Sequence, residues 1–236
     1  MAILSLNDIH AYYGKAHILQ GVSLDIERSS VVGIFGRNGA GKTTLLRTIM
    51  NLVPRSAGVI RFNDQDLTGL TTDARARAGI IYMSQDMRVF PELTVRENCL
   101  AARSAVGSNI SFEEVIRSIP ELIPHLDRPA GKLSGGQQQL VGFARSLIMG
   151  SEFFMLDEPT EGLMPLLVSR VGGIVRSLKE RSITVLLVEQ NVQFGLSVCD
   201  QIYFLEKGRI VAHATPTEIK EKKLVERYLG VSHHAS

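Results

Sequence analysis

Gly36-Arg37-Asn38-Gly39-Ala40-Gly41-Lys42-Thr43, followed by Thr44, fills every fixed position of the glycine-rich phosphate loop G-x-x-x-x-G-K-[ST]. Its flanks supply the required local structure. Val31-Val32-Gly33-Ile34-Phe35 is an apolar run that reads as a buried strand, and residues 42–50 hold no helix breaker, so the glycines fall on a strand-to-helix turn. A chance glycine turn beside a surface lysine would not need that context. Segments without Cβ atoms can wrap their N–H groups around phosphate at a helix N-terminus, where the helix dipole also favours an anion. The stretch therefore predicts nucleoside triphosphate binding. Lys42 is expected to reach the β- and γ-phosphates from a solvent-facing position, and Thr43 to place its hydroxyl on Mg²⁺.

Working outward, 236 residues suit one large α/β domain or a core with a subdomain, and 44% hydrophobic residues are ample for a core. The formal net charge is +2 with both signs interspersed, so nothing calls for nucleic acid or an anionic membrane as partner. The two cysteines, Cys99 and Cys199, lie far apart, which argues against a zinc site or disulfide framework and for a reducing, cytoplasmic setting. Apolar runs such as Ile183 to Val188 are far below membrane-spanning length, and Met1-Ala2-Ile3-Leu4 lacks a basic signal-peptide start. Work at a membrane would require another chain as anchor. The His233-His234 pair reads as part of a solvated tail.

Ile3 to Ile9 and Ile18 to Ile26 alternate apolar and polar residues, predicting antiparallel strands before the phosphate-loop strand. Pro54 and Gly58 mark a break, Val59 to Phe62 a strand, Asn63-Asp64 a turn, and Gly79 to Met83 another buried strand ending at Ser84-Gln85. From Pro91 to about Leu126 the pattern turns helical, with capping boxes at Thr94–Glu97 and Ser111–Glu114 and stops at Pro120 and Pro124. Leu140, Phe143, Ala144, Leu147 and Ile148 fall on one helical face, and the strand Phe153 to Leu156 follows. Helix, strand and helix continue through Val198, then a hairpin about Lys207-Gly208 and a terminal helix over 217–229.

Two further motifs carry chemistry. Phe153 to Leu156 runs into Asp157-Glu158, the way a phosphate-loop ATPase presents a Mg²⁺-side aspartate and a water-polarising glutamate. Such a pair also ends ordinary strands. The discriminating stretch is Leu133-Ser134-Gly135-Gly136-Gln137, a second anion-binding surface at a helix N-terminus in a chain that already has its own phosphate loop. A second phosphate site implies a second subunit.

These motifs, in this order, resemble the nucleotide-binding subunit of ATP-binding cassette transporters over nearly the whole chain. The implied fold is α/β: a P-loop NTPase core with a mostly parallel sheet, an antiparallel β flank and a helical subdomain. The chain would be one domain, with its core in 1–90 and 133–236 and its helical subdomain in 91–132. The resemblance implies ATP and Mg²⁺ as ligands. Gly36 to Thr44 would contact nucleotide, and Tyr13 would stack on adenine, although Tyr12 competes for that role and either could be an ordinary strand tyrosine. Thr43, Gln85 and Asp157 would serve the metal, and Gln85 could equally be a plain strand-end residue. Glu158 would be the catalytic base, and Ser134, Gly135, Gly136 and Gln137 would contact the γ-phosphate held by a partner cassette.

Two positions depart from the usual pattern. Gln190 stands where a switch histidine is common, so a neutral amide would assist catalysis without an imidazolium charge. Met164 stands where an aspartate is common after Asp157-Glu158-Pro159-Thr160. Glu161-Gly162-Leu163 before Pro165, together with Val188-Glu189-Gln190-Asn191, is similar to the shorter cassette of branched-chain amino acid importers and of the related urea and short-amide importers. The implied partners are integral-membrane permeases, a homodimeric or heterodimeric second cassette and, indirectly, an external substrate-binding protein. The implied location is the cytoplasmic face of the inner membrane. A soluble cassette ATPase of DNA repair or translation fits less well, because residues 85–133 leave no room for a long coiled coil. A P-loop phosphotransferase fits least, having no obvious use for Ser134 to Gln137. The residues after Gln85, namely Met87, Val89 and Phe90, could line an apolar socket for a permease helix, or Met87 and Val89 could instead pack under the helical subdomain.

Overall fold

The structure, a computed structural model, describes residues 1–85 and 89–229. Strands β1 (Ala2–Tyr13) and β2 (Ala16–Glu27) pair antiparallel, and β1 also pairs antiparallel with β4 (Arg55–Phe62). With β5 (Gln65–Asp66) they form one sheet in the order β2-β1-β4-β5. Asn63 and Asp64, both at positive φ, make the two-residue turn between β4 and β5. The second sheet runs β10-β9-β3-β8-β7-β6. Its members are β3 (Val31–Phe35), β6 (Ile80–Met83), β7 (Phe153–Asp157), β8 (Thr184–Glu189), β9 (Gln201–Glu206) and β10 (Arg209–Ala214). All its pairings are parallel except β9 with β10.

The continuous apolar runs of β3, β7 and β8 are buried on both faces, as a covered parallel sheet requires. Alternate residues feed two clusters. Val32, Ile34, Phe153, Met155, Leu186 and Val188 face the antiparallel sheet and helix α1 (Lys42–Ile49). Val31, Phe35, Phe154, Leu156, Val185 and Leu187 belong to the other cluster. That cluster includes α3 (Val95–Val106), α4 (Phe112–Ser118), α5 (Gly135–Met149) and α6 (Pro165–Glu180). Because β3, β7 and β8 are parallel and in register, their C-terminal residues Phe35, Asp157 and Glu189 share one edge, where open α/β sheets bind ligands.

Several expectations change. The expected break holds at Pro54, which lies between α1 and β4, but not at Gly58: β4 begins at Arg55 and passes through Gly58 at φ +102, where a Cβ would lie 2.4 Å from the Asp8 carbonyl oxygen. Gly58 permits close strand approach beside a register shift in β1. Helix α2 (Thr72–Arg77) is an addition that the sequence did not announce, since its six residues carry no apolar stripe. Buried Arg75 anchors it by donating to the carbonyls of Leu67, Leu70, Thr48 and Ile49, the last two at the end of α1. At Ser111 only half a capping box forms: its Oγ accepts from Glu114 N–H and donates to Glu113. The terminal helix is two, α8 (Pro216–Glu221) and α9 (Leu224–Leu229), separated by Lys223 at φ 49. Helix α7 (Val192–Val198) follows β8 and precedes β9. Met87 and the His233-His234 pair lie outside the described residues.

Candidate functional site

The loop from β3 to α1 is shaped by close contact. A Cβ at Gly36 would sit 2.3 Å from the Leu205 carbonyl oxygen, so only glycine lets the loop cross β9 there. Gly41 is the N-cap of α1. A cavity of about 450 Å³ opens above the loop, lined by Tyr13, Ile18, Asn38, Gly39, Gly41, Lys42, Thr43, Thr44, Gln85, Glu158, Glu161 and Gln190. Most of the candidate nucleotide and catalytic residues thus meet at one cleft, although they come from five separate segments.

Lys42 is buried, at 5% exposure, rather than solvent-facing. Its ammonium donates to the Gly36 carbonyl at 2.9 Å and lies 3.2 Å from Glu158 Oε1. Gln190 Nε2 donates to both Glu158 oxygens, at 3.0 and 2.9 Å. Glu158 itself is at φ 47, a left-handed conformation unusual for a non-glycine residue and of the kind found at functional sites. Beneath this cluster, Thr43 Oγ1 donates to Asp157 Oδ1 at 2.9 Å and the Tyr82 hydroxyl donates to Oδ2 at 2.8 Å. Burial pushes the Asp157 carboxyl above its ordinary range, against the two hydroxyl bonds that favour its charge. Burial, followed by the Asp157 charge, also pushes the Tyr82 phenol up. Gln85 donates to Glu161.

Among the tyrosines, Tyr13 lines the cleft, whereas Tyr12 stacks on His17 at 4.3 Å with the Arg55 guanidinium on its ring. Hydrogen bonds to Tyr13 and then Tyr82 raise the Arg47 pKa, tying α1 to both phenols. Arg37 and Ala40 complete the loop without lining the cavity: Ala40 N–H donates to the Arg37 carbonyl. Ser134, Gly135, Gly136 and Gln137 form the first turn of α5 and do not line the cleft. Ser134 and Gly135 are exposed, while Gln137 closes a capping box with Ser134 and contacts His125 at 3.0 Å.

Sequence reasoning missed Tyr82, Arg47, Glu161 and Glu189. The last is the clearest, a carboxylate ending a wholly buried strand, with 2% exposure and four donors: Thr160 N–H and Oγ1, Gln190 N–H and Asn191 N–H. Burial raises its pKa while those four bonds oppose the shift. A lone acid after four consecutive apolar strand positions, Val185 to Val188, was the available signal.

With this geometry in place, comparison with known proteins is informative. The sequence profile of the family described as ABC transporter matches residues 19–161. BraG of Pseudomonas aeruginosa, a high-affinity branched-chain amino acid transport ATP-binding protein, is 34% identical over 97% of this chain and 100% of its own length. LptB of Escherichia coli, a lipopolysaccharide export system ATP-binding protein, is 36% identical over 98% of each chain. The crystal structure of MJ1267 in its ADP conformation, an ATP-binding cassette of an ABC transporter, superposes with a TM-score of 0.85 at 29% identity, covering 98% of this chain and 100% of that one.

Proposed function

The chain belongs to the ABC transporter family of ATP-binding cassettes and is an ATPase of that family, and on that premise we propose that it energises a membrane importer, with branched-chain amino acids as the cargo. The carrying observation is the convergence of Lys42, Glu158 and Gln190 on one cleft, with the Thr43–Asp157 pair directly below.

In this reading Tyr13 stacks on the adenine, and Gly36 to Thr44 cradle the phosphates through backbone N–H groups. The Lys42 ammonium transfers its electrostatic partnership from Glu158 to the terminal phosphate oxygens, which frees the Glu158 carboxylate to accept a proton from the attacking water. Gln190 orients that water or the phosphate by hydrogen bonding, with no titrating charge of its own. Thr43 and Asp157 offer adjacent hard oxygen donors that suit Mg²⁺, with Gln85 beside the same cleft. Mg²⁺ when bound neutralises charge on the phosphates. Ser134 and Gly135, exposed and away from the chain's own cleft, are available to the nucleotide of a second cassette. Among the described residues no helix is long and apolar enough to cross a membrane. Permease subunits would hold the protein at the cytoplasmic face beside the helical subdomain of residues 91–132, with exposed Phe90 as the contact; Val89, expected in the same socket, is instead 7% exposed and packed in the core.

The cargo rests on the pairing of Glu161-Gly162-Leu163 with Val188-Glu189-Gln190-Asn191 and on the likeness to BraG. Urea or a short amide is the related alternative. Lipopolysaccharide export is a second reading, favoured by the 36% identity to LptB. The test is ATP-dependent uptake by the complex with its cognate permeases in proteoliposomes. Leucine-stimulated hydrolysis that Lys42→Ala abolishes supports the importer, and stimulation by lipopolysaccharide alone overturns the cargo while leaving the ATPase.

A further inference from the structure

Glu189 occupies a place where an aliphatic residue would be expected. The five preceding residues of β8, Thr184 to Val188, are all buried, and four of them are aliphatic. A carboxylate there is costly unless its oxygens are fully engaged. They are, and the engagement is divided. Oε1 accepts from the Thr160 N–H at 3.0 Å and from Thr160 Oγ1 at 2.6 Å. Oε2 accepts from the N–H groups of Gln190 at 3.0 Å and Asn191 at 3.1 Å. One oxygen thus holds the loop after β7, two residues beyond Glu158, and the other holds the loop after β8, at Gln190 itself.

We propose that Glu189 is a positioning residue for hydrolysis, a carboxylate staple that fixes the Glu158 loop against the Gln190 loop so that the Gln190 amide meets the Glu158 carboxylate. This rests on the reading of Glu158 and Gln190 as the groups that face the reacting phosphate and water. A backbone tie near the site also joins the Glu158 loop to β8, Glu158 N–H to the Val188 carbonyl at 2.9 Å. That bond sets the height of Glu158 above the sheet; beyond it Gln139 Nε2 donates to the Pro159 carbonyl and Gln85 to Glu161, and neither of these ties reaches the Gln190 loop. The staple holds the buried side of the Glu158 loop at Thr160, itself 5% exposed. Gln190 then gains its register from the same carboxylate, because its side chain springs from the residue whose N–H is bound.

Glutamine is the sharpest replacement because it keeps the shape and halves the acceptors. Its single oxygen can serve the Gln190 and Asn191 N–H pair while its NH₂ donates to Thr160 Oγ1, which leaves the Thr160 N–H without an acceptor. Glu189→Gln should therefore loosen the Glu158 loop and spare the phosphate loop. The expected result is a fall in kcat of about 10-fold or more with ATP affinity changed less than about threefold, as for a misplaced catalytic group. Thr160→Val should lower kcat in the same sense, and Thr160→Ser, which keeps the hydroxyl, should restore it. The Glu189→Gln/Gln190→Ala double variant should fall little below Gln190→Ala alone, since one acts through the other. Hydrogen exchange on the full chain gives a readout that needs no catalysis: a peptide over 158–163 should exchange about 10-fold faster in Glu189→Gln, with the phosphate-loop peptide unchanged. Unchanged exchange in 158–163, additive kinetic losses, or kcat and ATP affinity falling together would each overturn the staple. Faster exchange in 158–163 with ATP hydrolysis indifferent to Glu158→Gln would uphold the loop linkage and instead sink the catalytic reading of Glu158.

Discussion

Replacing Lys42 with methionine separates two consequences that a solvent-facing lysine would not have. The Lys42 and Glu158 side chains are 5% and 10% exposed and 3.2 Å apart, so solvent screens the pair little. Removing one partner of a buried ion pair costs about 3–5 kcal/mol, mostly through the charge left behind. Gln190 Nε2 still donates to both Glu158 oxygens, which places the expected loss at the lower end, about 3 kcal/mol. For a chain of this size that is a Tm lower by roughly 6–12 °C. Adding Glu158→Gln removes the stranded charge without changing shape, and should recover most of that loss. Nucleotide-free scanning fluorimetry of the parent, Lys42→Met, Glu158→Gln and the double variant measures the cycle, and an ATP titration runs beside it. ATP affinity should vanish in both chains that lack Lys42, including the restabilised one. A Lys42→Met chain melting within about 1 °C of the parent, or a double variant no more stable than Lys42→Met, would refute the buried-pair reasoning.

Other outcomes follow from the same geometry. Gln190→Ala should lower kcat by about 10-fold or more with a smaller change in ATP affinity, because it removes two bonds to Glu158 and none to the phosphate loop; unchanged steady-state kinetics in the assembled complex would make it an ordinary strand-end amide. Phe90 is 48% exposed with the Arg145 guanidinium 4.6 Å from its ring, and Phe90→Glu should reduce co-purification with the permeases while ATP still binds; normal association would dismiss that docking position. Both cysteines are buried, and burial pushes the Cys99 thiol up to about 12 and the Cys199 thiol higher still. At pH 8 only about one Cys99 in 10⁴ is thiolate, so iodoacetamide should modify neither in the folded chain and both once it is unfolded. Prompt native-state alkylation of either would contradict the packing around it.

The elements legible in advance were those whose signal is local and strong. Val31 to Phe35 and Phe153 to Leu156 declare buried parallel strands by unbroken apolar runs, and Gly36 to Thr43 by its spacing declares the turn between strand and helix. What escaped depended on tertiary partners. α2 is held by Arg75 reaching carbonyls more than twenty residues away on α1, which no window of sequence contains. Gly58 looked like a breaker because its role, close passage over Asp8, belongs to a neighbouring strand. At the site the residue types were readable but their burial was not. Lys42 meets Glu158 across 116 positions of chain, and Glu189 gathers donors from two loops that adjoin only because β7 and β8 are neighbours in the sheet.

The central claim is that one chain's cleft holds ATP while the exposed Ser134 turn of another completes it. Sedimentation of the Glu158→Gln chain with Mg²⁺ and ATP, with the cognate second cassette and permeases supplied if the chain does not pair with itself, tests this most directly. The predicted result is an ATP-dependent cassette dimer, stable because hydrolysis is slowed by about 10²-fold or more, and lost on Ser134→Arg in a chain that still binds ATP. A species that stays monomeric with ATP and all partners present, or a dimer indifferent to both ATP and Ser134→Arg, would contradict it.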